Sequence, residues 1–247
     1  SIPTYFMGSG SNLLISDEGI KGLVISPGKG FRALKFNRHS VYAESGIMLS
    51  RIVKESIKRN LSGLESLIGV PGTLGGALVM NAGAFGREIS NYLYCVYVMD
   101  MKGNIISYIP EELDFAYRFS SFKKNEFILS AKFILKPEHP KIIQEKKENS
   151  NIGRKTNQPL KFRSAGSVFK NPENFAAGYL IDRVGLKGTK IGDAEISNHH
   201  ANFFINHGKA SSNDILSLIR LAKKRVKEKF DINLELEIKM VGFEENW

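Results

Sequence analysis

Alternating hydrophobic and polar positions predict several short strands in the first half of the chain. Residues 127–135 place apolar side chains at nearly every second position, which is typical of a strand with one buried face. Residues 92–99 and 104–109 flank Met101-Lys102-Gly103 and predict a hairpin. Residues 2–7 and 22–26 are shorter runs of strand type, whereas 50–59 carries apolar residues at helical spacing. This half is therefore predicted to be mixed α and β.

The second half begins with a change in composition. Between Pro137 and Leu160 the chain is rich in Lys, Glu, Asn and Gln, with two prolines near its start, which predicts a connecting stretch and a domain boundary. Further on, Ser211 or Ser212 is a candidate N-cap for a long amphipathic helix that ends near Asp231. A strand over 234–241 is predicted to close the chain.

Composition and charge narrow the classes of protein. The 247 residues, 42% of them hydrophobic, are enough for one or two globular domains with a buried core. The net charge of +10 is compatible with a nucleic acid, an anionic membrane surface or a phosphorylated small molecule as partner. Much of the excess lies in 223–229 and 144–148, where acidic residues are interleaved and aromatic residues are missing. That pattern favours solvated helix faces over a single-strand binding surface.

Three further features concern location and metals. The single cysteine, Cys95, lies in a strand pattern and is predicted to be a buried thiol, so a reducing, cytoplasmic location is the default. No apolar run approaches the roughly 20 residues needed to span a bilayer, and nothing at the start resembles a signal peptide, so no membrane insertion is expected. His199 and His200 are adjacent and would point apart on an extended chain, so no metal site is predicted.

Two glycine-rich stretches are candidates for nucleotide binding. Residues 63–86 hold seven glycines and Pro71, a composition that suits either backbone amides converging on a pyrophosphate or tight turns packed in a core. Composition alone leaves both interpretations open. Residues 8–14, Gly-Ser-Gly-Ser-Asn-Leu-Leu, lack the third glycine of the Rossmann fingerprint and are followed by a turn instead of a long helix. A different nucleotide-cradling loop therefore stays open.

Five motifs occur in an order and at a spacing that resemble one known family. They are Gly-Ser-Gly-Ser-Asn-Leu-Leu from Gly8, Gly-Val-Pro-Gly-Thr-Leu-Gly-Gly with Met-Asn-Ala-Gly-Ala from Gly69 and Met80, Tyr-Arg-Phe-Ser-Ser-Phe from Tyr117, Ser-Ala-Gly-Ser-Val-Phe-Lys-Asn-Pro from Ser164, and Leu-Glu-Leu-Glu-Ile-Lys-Met-Val-Gly from Leu234. Together they cover essentially the whole chain. The chain is similar to the UDP-N-acetylenolpyruvoylglucosamine reductases, flavoenzymes of peptidoglycan precursor synthesis.

This resemblance implies an α+β FAD-binding fold of the vanillyl-alcohol-oxidase type with a separate C-terminal substrate-binding α+β domain. Residues 1–14 would be a remnant of a first FAD-binding subdomain, 15–150 the second, and 151–247 the substrate-binding domain with the closing strand. The family's further N-terminal unit is expected to be missing. The resemblance assigns cofactor contacts to Gly8, Gly10, Ser11, Asn12, Gly72, Thr73, Gly75, Gly76, Asn81 and Gly83.

The resemblance also implies the reaction and its residues. NADPH would reduce bound FAD, which would reduce UDP-N-acetylglucosamine enolpyruvate to UDP-N-acetylmuramate. Arg118 would hold the substrate carboxylate, Ser167 would donate a proton, and Glu237 would hydrogen-bond the carboxylate in the intermediate. Substrate contacts are implied for Lys170, Asn171 and Lys187, with Lys190 a weaker candidate. The segment 122–127 is short, as in the family branch that lacks a substrate-covering tyrosine, so none is assigned.

Two rival interpretations make different predictions. A flavin-dependent oxidase or hydroxy-acid dehydrogenase would share the FAD-binding fold but show no NADPH oxidation that depends on an enolpyruvyl sugar. A basic nucleic-acid binder would bind oligonucleotides tightly and with a steep salt dependence, and would carry no flavin. The five motifs favour the reductase, with a UDP-sugar as small-molecule partner and no obligatory protein partner.

Overall fold

The computed structural model of the chain describes residues 2–243. Its α-helices are α1 (Leu49–Lys58), α2 (Leu74–Val79), α3 (Pro140–Asn157), α4 (Ala177–Arg183) and α5 (Ser212–Phe230). Its strands are β1 (Thr4–Phe6), β2 (Leu13–Ile15), β3 (Leu23–Ile25), β4 (Leu34–Asn37), β5 (Ser40–Glu44), β6 (Leu61–Ser62), β7 (Gly83–Ala84), β8 (Arg87–Glu88), β9 (Leu93–Met99), β10 (Ile105–Tyr108), β11 (Phe115–Ala116), β12 (Phe119–Ser120), β13 (Phe127–Ile134), β14 (Lys136–Pro137), β15 (Arg163–Ser167), β16 (Lys190–Ile191), β17 (Ala194–Ile196), β18 (Phe203–Asn206) and β19 (Lys239–Val241).

These elements group into two compact units. Within the described residues, the first unit comprises 2–9 and 22–154, and the second comprises 10–21 and 155–243. Each unit has its own cluster of buried apolar side chains. The functional division at 1–14, 15–150 and 151–247 stays a prediction.

The first unit is built on an antiparallel sheet in the order β10-β9-β13-β5-β4. One face of this sheet is buried, because Val41, Val96, Ala131 and Phe133 alternate inward and are fully covered. Helix α1 adds Ile52 and Val53 to the same core. The glycine-rich segment of residues 63–86 then runs through α2 and the short hairpin β7–β8.

The second unit is built on an antiparallel sheet in the order β15-β18-β17-β16, with a separate parallel pair of β2 and β19. Helix α5 packs its apolar stripe, including Leu218, Ile219, Ala222 and Val226, into this unit's core. The stripe follows the 3.6-residue period expected of an amphipathic helix. The bulged strand β15 carries the Ser-Ala-Gly-Ser motif.

Most elements predicted from the sequence are present. The hairpin β9–β10, the long strand β13, helix α1 and the strands β1 and β3 fall within the predicted ranges to about two residues. Helix α5 begins after its N-cap Ser211, whose hydroxyl accepts from the Asp214 amide, and ends at Asp231 in the left-handed conformation. Cys95 is buried, as predicted.

One prediction about local structure is wrong and another is incomplete. The stretch predicted as a connection between Pro137 and Leu160 contains the 18-residue helix α3, of which the sequence indicated only the charged helix face at 144–148. Only Ile143 and Ser150 of that helix are buried, so its helical period is barely visible in the sequence. The predicted strand 234–241 is regular only at β19. The amides of Glu237 and Ile238 both approach the Val168 carbonyl, at 2.8 and 3.4 Å, and this bulge-like bend interrupts the strand.

None of the helices in residues 2–243 is long and apolar enough to cross a membrane. Across the same residues, no group of three or more His, Cys, Asp or Glu side chains is arranged to hold a metal ion.

Candidate active site

In the first unit, glycines surround a buried hydroxyl. The Thr73 side chain is buried, and its Oγ1 has no hydrogen-bond partner within residues 2–243. A Cβ at Gly8 would overlap this oxygen, and a Cβ at Gly76 would lie 3.8 Å from it. Because an unsatisfied buried polar atom costs free energy, its position beside bare glycine backbone indicates a site for an external hydrogen-bonding group.

The backbone around Thr73 offers further donors. Gly72 has a φ of +120°, in the region that favours glycine. The amides of Gly8, Gly72 and Thr73 have no acceptor in the described part of the chain. Gly75 packs closely on Ser45, whose Oγ is also buried and has no hydrogen-bond partner among residues 2–243. Converging amides and hydroxyls of this kind are suited to phosphate oxygens, so these residues fit the diphosphate of FAD.

Asn81 has a different environment from the other predicted cofactor residues. Its side chain is fully buried, donates to Glu88 Oε2 at 2.7 Å and to the Ala116 carbonyl at 3.1 Å, and accepts from the Ser90 amide at 3.4 Å. These bonds hold the hairpin β7–β8 in place. A cofactor contact by Asn81 stays a prediction.

Arg118 lies beside Gly83 in the first unit. The Arg118 Nη1 atom lies 3.5 Å from the position that a Cβ on Gly83 would occupy. Arg118 is half-buried and has a φ of +56°, and its guanidinium stacks 4.9 Å from the centre of the Tyr117 ring. The strained backbone and the stacked ring together fix the direction of the cation.

We expect Gly8→Ala to weaken FAD binding about tenfold, equivalent to about 1.4 kcal/mol, because the new methyl group would displace the Thr73 hydroxyl. Fluorescence titration of the FAD-free protein with FAD measures the change. Gly30→Ala is the matched control, since a Cβ at Gly30 meets nothing within 4 Å and the φ and ψ angles of Gly30 lie in the right-handed α region, which alanine adopts readily. Equal affinities for Gly8→Ala and the unmutated chain would remove Gly8 from the cofactor site.

In the second unit, Ser167 ends the bulged strand β15. Gly166 precedes it with a φ of +81°, and the register against β18 shifts between Ser164 and Ser167. A glycine in this conformation turns the strand locally, so the Ser167 side chain leaves the regular alternation of β15. Ser167 is half-buried.

Asn202 holds the backbone that follows Ser167. Its side chain accepts from the Phe169 amide at 2.9 Å and donates to the Phe169 carbonyl at 2.8 Å, and its own carbonyl accepts from the Val168 amide at 2.8 Å. The Asn202 amide donates to His200 Nδ1 at 3.2 Å. Burial, together with the nearby Lys187 and His199, lowers the pKa of His200, which favours the neutral ring that can accept this bond.

Glu237 lies on a segment paired with the one that contains Ser167. Its amide donates to the Val168 carbonyl at 2.8 Å, Leu236 forms a bridge with Phe169, and the Lys170 amide donates to the Glu235 carbonyl at 2.9 Å. Glu235 exposes 76% of its side chain, whereas Glu237 is half-buried. The second unit therefore brings Ser167 and Glu237 together.

The loop residues Gly10 to Asn12 also belong to the second unit. The Asn12 side chain donates to the Glu237 carbonyl at 3.0 Å, and its own carbonyl accepts from the Lys239 amide at 2.9 Å. Gly10 has a φ of +73°, and its amide has no acceptor within residues 2–243. Cofactor contacts by Gly10, Ser11 and Asn12 stay predictions.

The predicted substrate residues have partners inside the second unit. Lys170 Nζ lies 3.4 Å from Glu235 Oε2, and Lys187 Nζ lies 2.8 Å from Asp182 Oδ2. The Asn171 side chain accepts from the Ala177 amide at 3.0 Å, at the start of α4. Lys190, the weaker candidate, pairs with the buried Glu195 at 3.4 Å. In the described part of the chain, Lys170 and Lys187 are each held by a partly exposed ion pair.

We expect Asn202→Ala to lower the free energy of unfolding by about 2–4 kcal/mol, because it leaves the buried amide and carbonyl of Phe169 without partners. Urea denaturation followed by circular dichroism measures the loss. Asn213→Ala is the control, since Asn213 is exposed on α5 and a helical alanine is favourable. A loss no larger than that of the control would show that the Asn202 clamp does not stabilise the fold.

Comparison with family models defines the class of protein. Residues 1–108 match an FAD binding domain, and residues 158–241 match the C-terminal domain of UDP-N-acetylenolpyruvoylglucosamine reductase. The chain is a flavoprotein in which an FAD-binding domain precedes a separate C-terminal domain, so the predicted fold class is confirmed.

Relatives along nearly the full chain define the family. The UDP-N-acetylenolpyruvoylglucosamine reductases of Clostridium novyi (strain NT) and Clostridium tetani (strain Massachusetts / E88) are 45% and 44% identical over 99% and 98% of this chain, and over 80% and 79% of their own lengths. The crystal structure of the Thermus caldophilus reductase matches with a TM-score of 0.86 and 37% identity, covering 98% of this chain and 86% of that one. This chain belongs to the UDP-N-acetylenolpyruvoylglucosamine reductase family.

Proposed function

We propose that this chain carries out the family reaction, the reduction of UDP-N-acetylglucosamine enolpyruvate to UDP-N-acetylmuramate in peptidoglycan precursor synthesis, through the residues described above. FAD, held by the residues around Thr73, would supply the hydride chemistry that links NADPH to the enolpyruvyl double bond. The observation that carries the residue assignment is the pairing of the Glu237 segment with the backbone after Ser167.

The chemistry requires a cation close to the substrate carboxylate. Hydride addition to the terminal carbon leaves negative charge on the carbon next to that carboxylate, so the intermediate resembles an enolate dianion. We assign Arg118 to the stabilisation of this negative charge. Its planar guanidinium keeps its proton and can bind two oxygens at once. Its fixed stacking on Tyr117 supports the role, because a preoriented cation needs little reorganisation as charge develops.

The intermediate then needs a proton at the same carbon. We assign this step to Ser167, which gives its hydroxyl proton to the carbanion and completes the addition of two hydrogens across the double bond. An alcohol can serve here because the acceptor is strongly basic and held in place. The turn at Gly166 supports the assignment, since it takes the Ser167 side chain out of the strand's regular alternation.

Glu237 is assigned to the substrate carboxylate. As a neutral acid it would donate a hydrogen bond that strengthens as charge builds up on the carboxylate. Its half-buried position and its backbone bond to Val168 support this role over that of the exposed Glu235.

The diphosphate of the UDP-sugar is assigned to Lys170, Asn171 and Lys187. The two lysines offer mobile point charges whose present ion pairs are partly exposed and therefore weak. Exchange of those carboxylates for a diphosphate would cost little.

We further propose a cytoplasmic location, no obligatory protein partner, no membrane insertion and no nucleic-acid partner. The buried thiol of Cys95 is consistent with a reducing compartment. Fractionation of cells that express the chain tests the cytoplasmic location. A salt titration with an oligonucleotide tests the absence of a nucleic-acid partner, since a dedicated nucleic-acid binder would lose affinity steeply as the salt concentration rises.

The function is tested by NADPH oxidation with UDP-N-acetylglucosamine enolpyruvate as the acceptor. We expect oxidation to depend on added FAD and on the enolpyruvyl group, with UDP-N-acetylglucosamine as the control that lacks the double bond. The proposed function would be contradicted if NADPH were oxidised equally fast with both sugars, or if it were oxidised with neither of them.

A further inference from the structure

The first unit contains a cleft of about 670 Å³ between helices α1 and α3. Residues 50–69 form one side of this α1–α3 cleft and residues 144–151 the other. Its volume falls within the range of roughly 300–1,000 Å³ that is typical of small-molecule sites. None of the residues assigned above to FAD, to the sugar or to the reaction is among its lining residues. The α1–α3 cleft is therefore a separate candidate site.

The charge of the α1–α3 cleft is positive. Three lysines line it, and no acidic residue does so within the described part of the chain. Lys54 forms no ion pair among residues 2–243, and Lys147 Nζ donates only to a neutral amide oxygen on α3, at 3.2 Å, within the same residues. Lys58 pairs with Glu55 at 2.8 Å, but Glu55 also pairs with Arg59 at 2.6 Å. Two of the three lysines thus lack a carboxylate partner within residues 2–243.

The stability of the two helices does not account for this arrangement. Lys54 and Lys58 are four residues apart on α1, and like charges at that spacing destabilise a helix. Lys147 adds a third cation from the opposite wall of the cleft. A cleft whose walls carry one sign of charge concentrates ions of the other sign. The charge of the α1–α3 cleft therefore favours an anionic occupant.

Apolar and amide groups complete the lining. Ile57 and Ile68 contribute apolar side chains that are 9% and 6% exposed. Asn60, Gln144 and Asn151 add side-chain amides, which can both donate and accept hydrogen bonds. Small-molecule sites commonly combine apolar surface with a few polar groups that fix the orientation of the ligand. These groups suit a ligand that joins an apolar or planar part to an anionic group.

We propose that the α1–α3 cleft binds a phosphorylated metabolite with a planar or apolar part, the chemical class to which nucleoside monophosphates belong. A phosphate monoester carries nearly two negative charges at neutral pH, which matches the two lysines without carboxylate partners, Lys54 and Lys147. Lysine binds phosphate as a point charge. The organic part would lie against Ile57 and Ile68. This site goes beyond the proposed reaction and does not depend on it.

The test is calorimetric titration of the FAD-loaded chain with AMP, with adenosine as the control that lacks the phosphate. Bound FAD keeps AMP out of the dinucleotide site. We expect adenosine to bind at least about tenfold more weakly than AMP. The double variant Lys54→Gln and Lys147→Gln should bind AMP at least about tenfold more weakly than the unmutated chain, because each lysine supplies a charge-assisted hydrogen bond worth about that factor.

The matched control is the double variant Lys35→Gln and Lys102→Gln, which removes two exposed cations of the same unit outside the α1–α3 cleft. It should bind AMP as the unmutated chain does. The double variant Lys170→Gln and Lys187→Gln tests binding of AMP at the proposed sugar site instead, and it should also keep its affinity for AMP.

An unchanged affinity for AMP in the variant of Lys54 and Lys147 would overturn the proposal. Equal affinities of the unmutated chain for AMP and adenosine, or no binding of AMP, would overturn it as well. Because these two lysines have no part in the proposed reaction, their variant should oxidise NADPH with the enolpyruvyl sugar at the unmutated rate. Failure of the proposed function would differ, since the unmutated chain would then show no sugar-dependent NADPH oxidation.

Discussion

Replacing Ser167 with alanine is expected to slow flavin reoxidation by the enolpyruvyl sugar by about 10²–10⁴-fold, the usual contribution of a positioned proton donor. Flavin reduction by NADPH should stay close to the unmutated rate, because that step needs no proton from Ser167. Stopped-flow absorbance separates the two half-reactions.

Ser107→Ala is a suitable control for this experiment, because Ser107 is exposed on β10 of the first unit. Both half-reactions should be unchanged in the control. If Ser167→Ala reoxidised as fast as the control, the proton would have to come from another group or from water. A variant slowed equally in both half-reactions would indicate damaged FAD binding and would also contradict the assignment.

Glu237→Gln is expected to slow the same half-reaction by about 10²-fold or more, because a preoriented group that acts on developing charge is worth about that much. The amide keeps the size of the side chain and its backbone bond to Val168, but it replaces the acidic O–H donor with a weaker amide N–H donor. Flavin reduction by NADPH should again be nearly unaffected.

The chain itself provides a matched control in Glu235→Gln. Glu235 lies two residues away on the same segment, but its side chain is exposed and pairs with Lys170. We expect it to leave the rate of reoxidation nearly unchanged and to alter sugar affinity only modestly. A large rate effect at Glu235 and none at Glu237 would exchange the two assignments.

The sequence predicts the fold well where one local signal is strong. Helix α5 shows both an apolar stripe and a serine N-cap, and β13 shows apolar side chains at nearly every second position, so the sequence locates each to within about two residues. The sequence indicates the charged face of helix α3 at 144–148 but not the bounds of the helix, because α3 buries only Ile143 and Ser150. A helix with so narrow a buried face has almost the composition of a linker.

The candidate site depends more on tertiary structure. The spacing of Glu235 and Glu237 predicts one shared strand face, but the backbone bends at Glu237 and Ile238, and the two side chains differ in exposure. The sequence does not single out Asn202, yet its side chain clamps Phe169 on both sides. Nothing in its sequence context signals that pairing, because β15 and the loop before β18 are far apart along the chain.

Arg154 illustrates the same limit in another way. In the sequence it is one of many cations in a charged stretch, where a solvated helix face is the ordinary interpretation. Only the folded chain shows that its Nε atom is buried, without a hydrogen-bond partner among residues 2–243, and that its stem packs beside Gly69.

The most direct test of the central claim is an anaerobic titration of the FAD-loaded chain. One equivalent of NADPH should bleach the visible flavin bands, and one equivalent of UDP-N-acetylglucosamine enolpyruvate should then restore them with formation of UDP-N-acetylmuramate. Reduced flavin that the enolpyruvyl sugar fails to reoxidise, or a chain that retains no flavin bands after FAD is added, would contradict the assignment of this chain as the reductase.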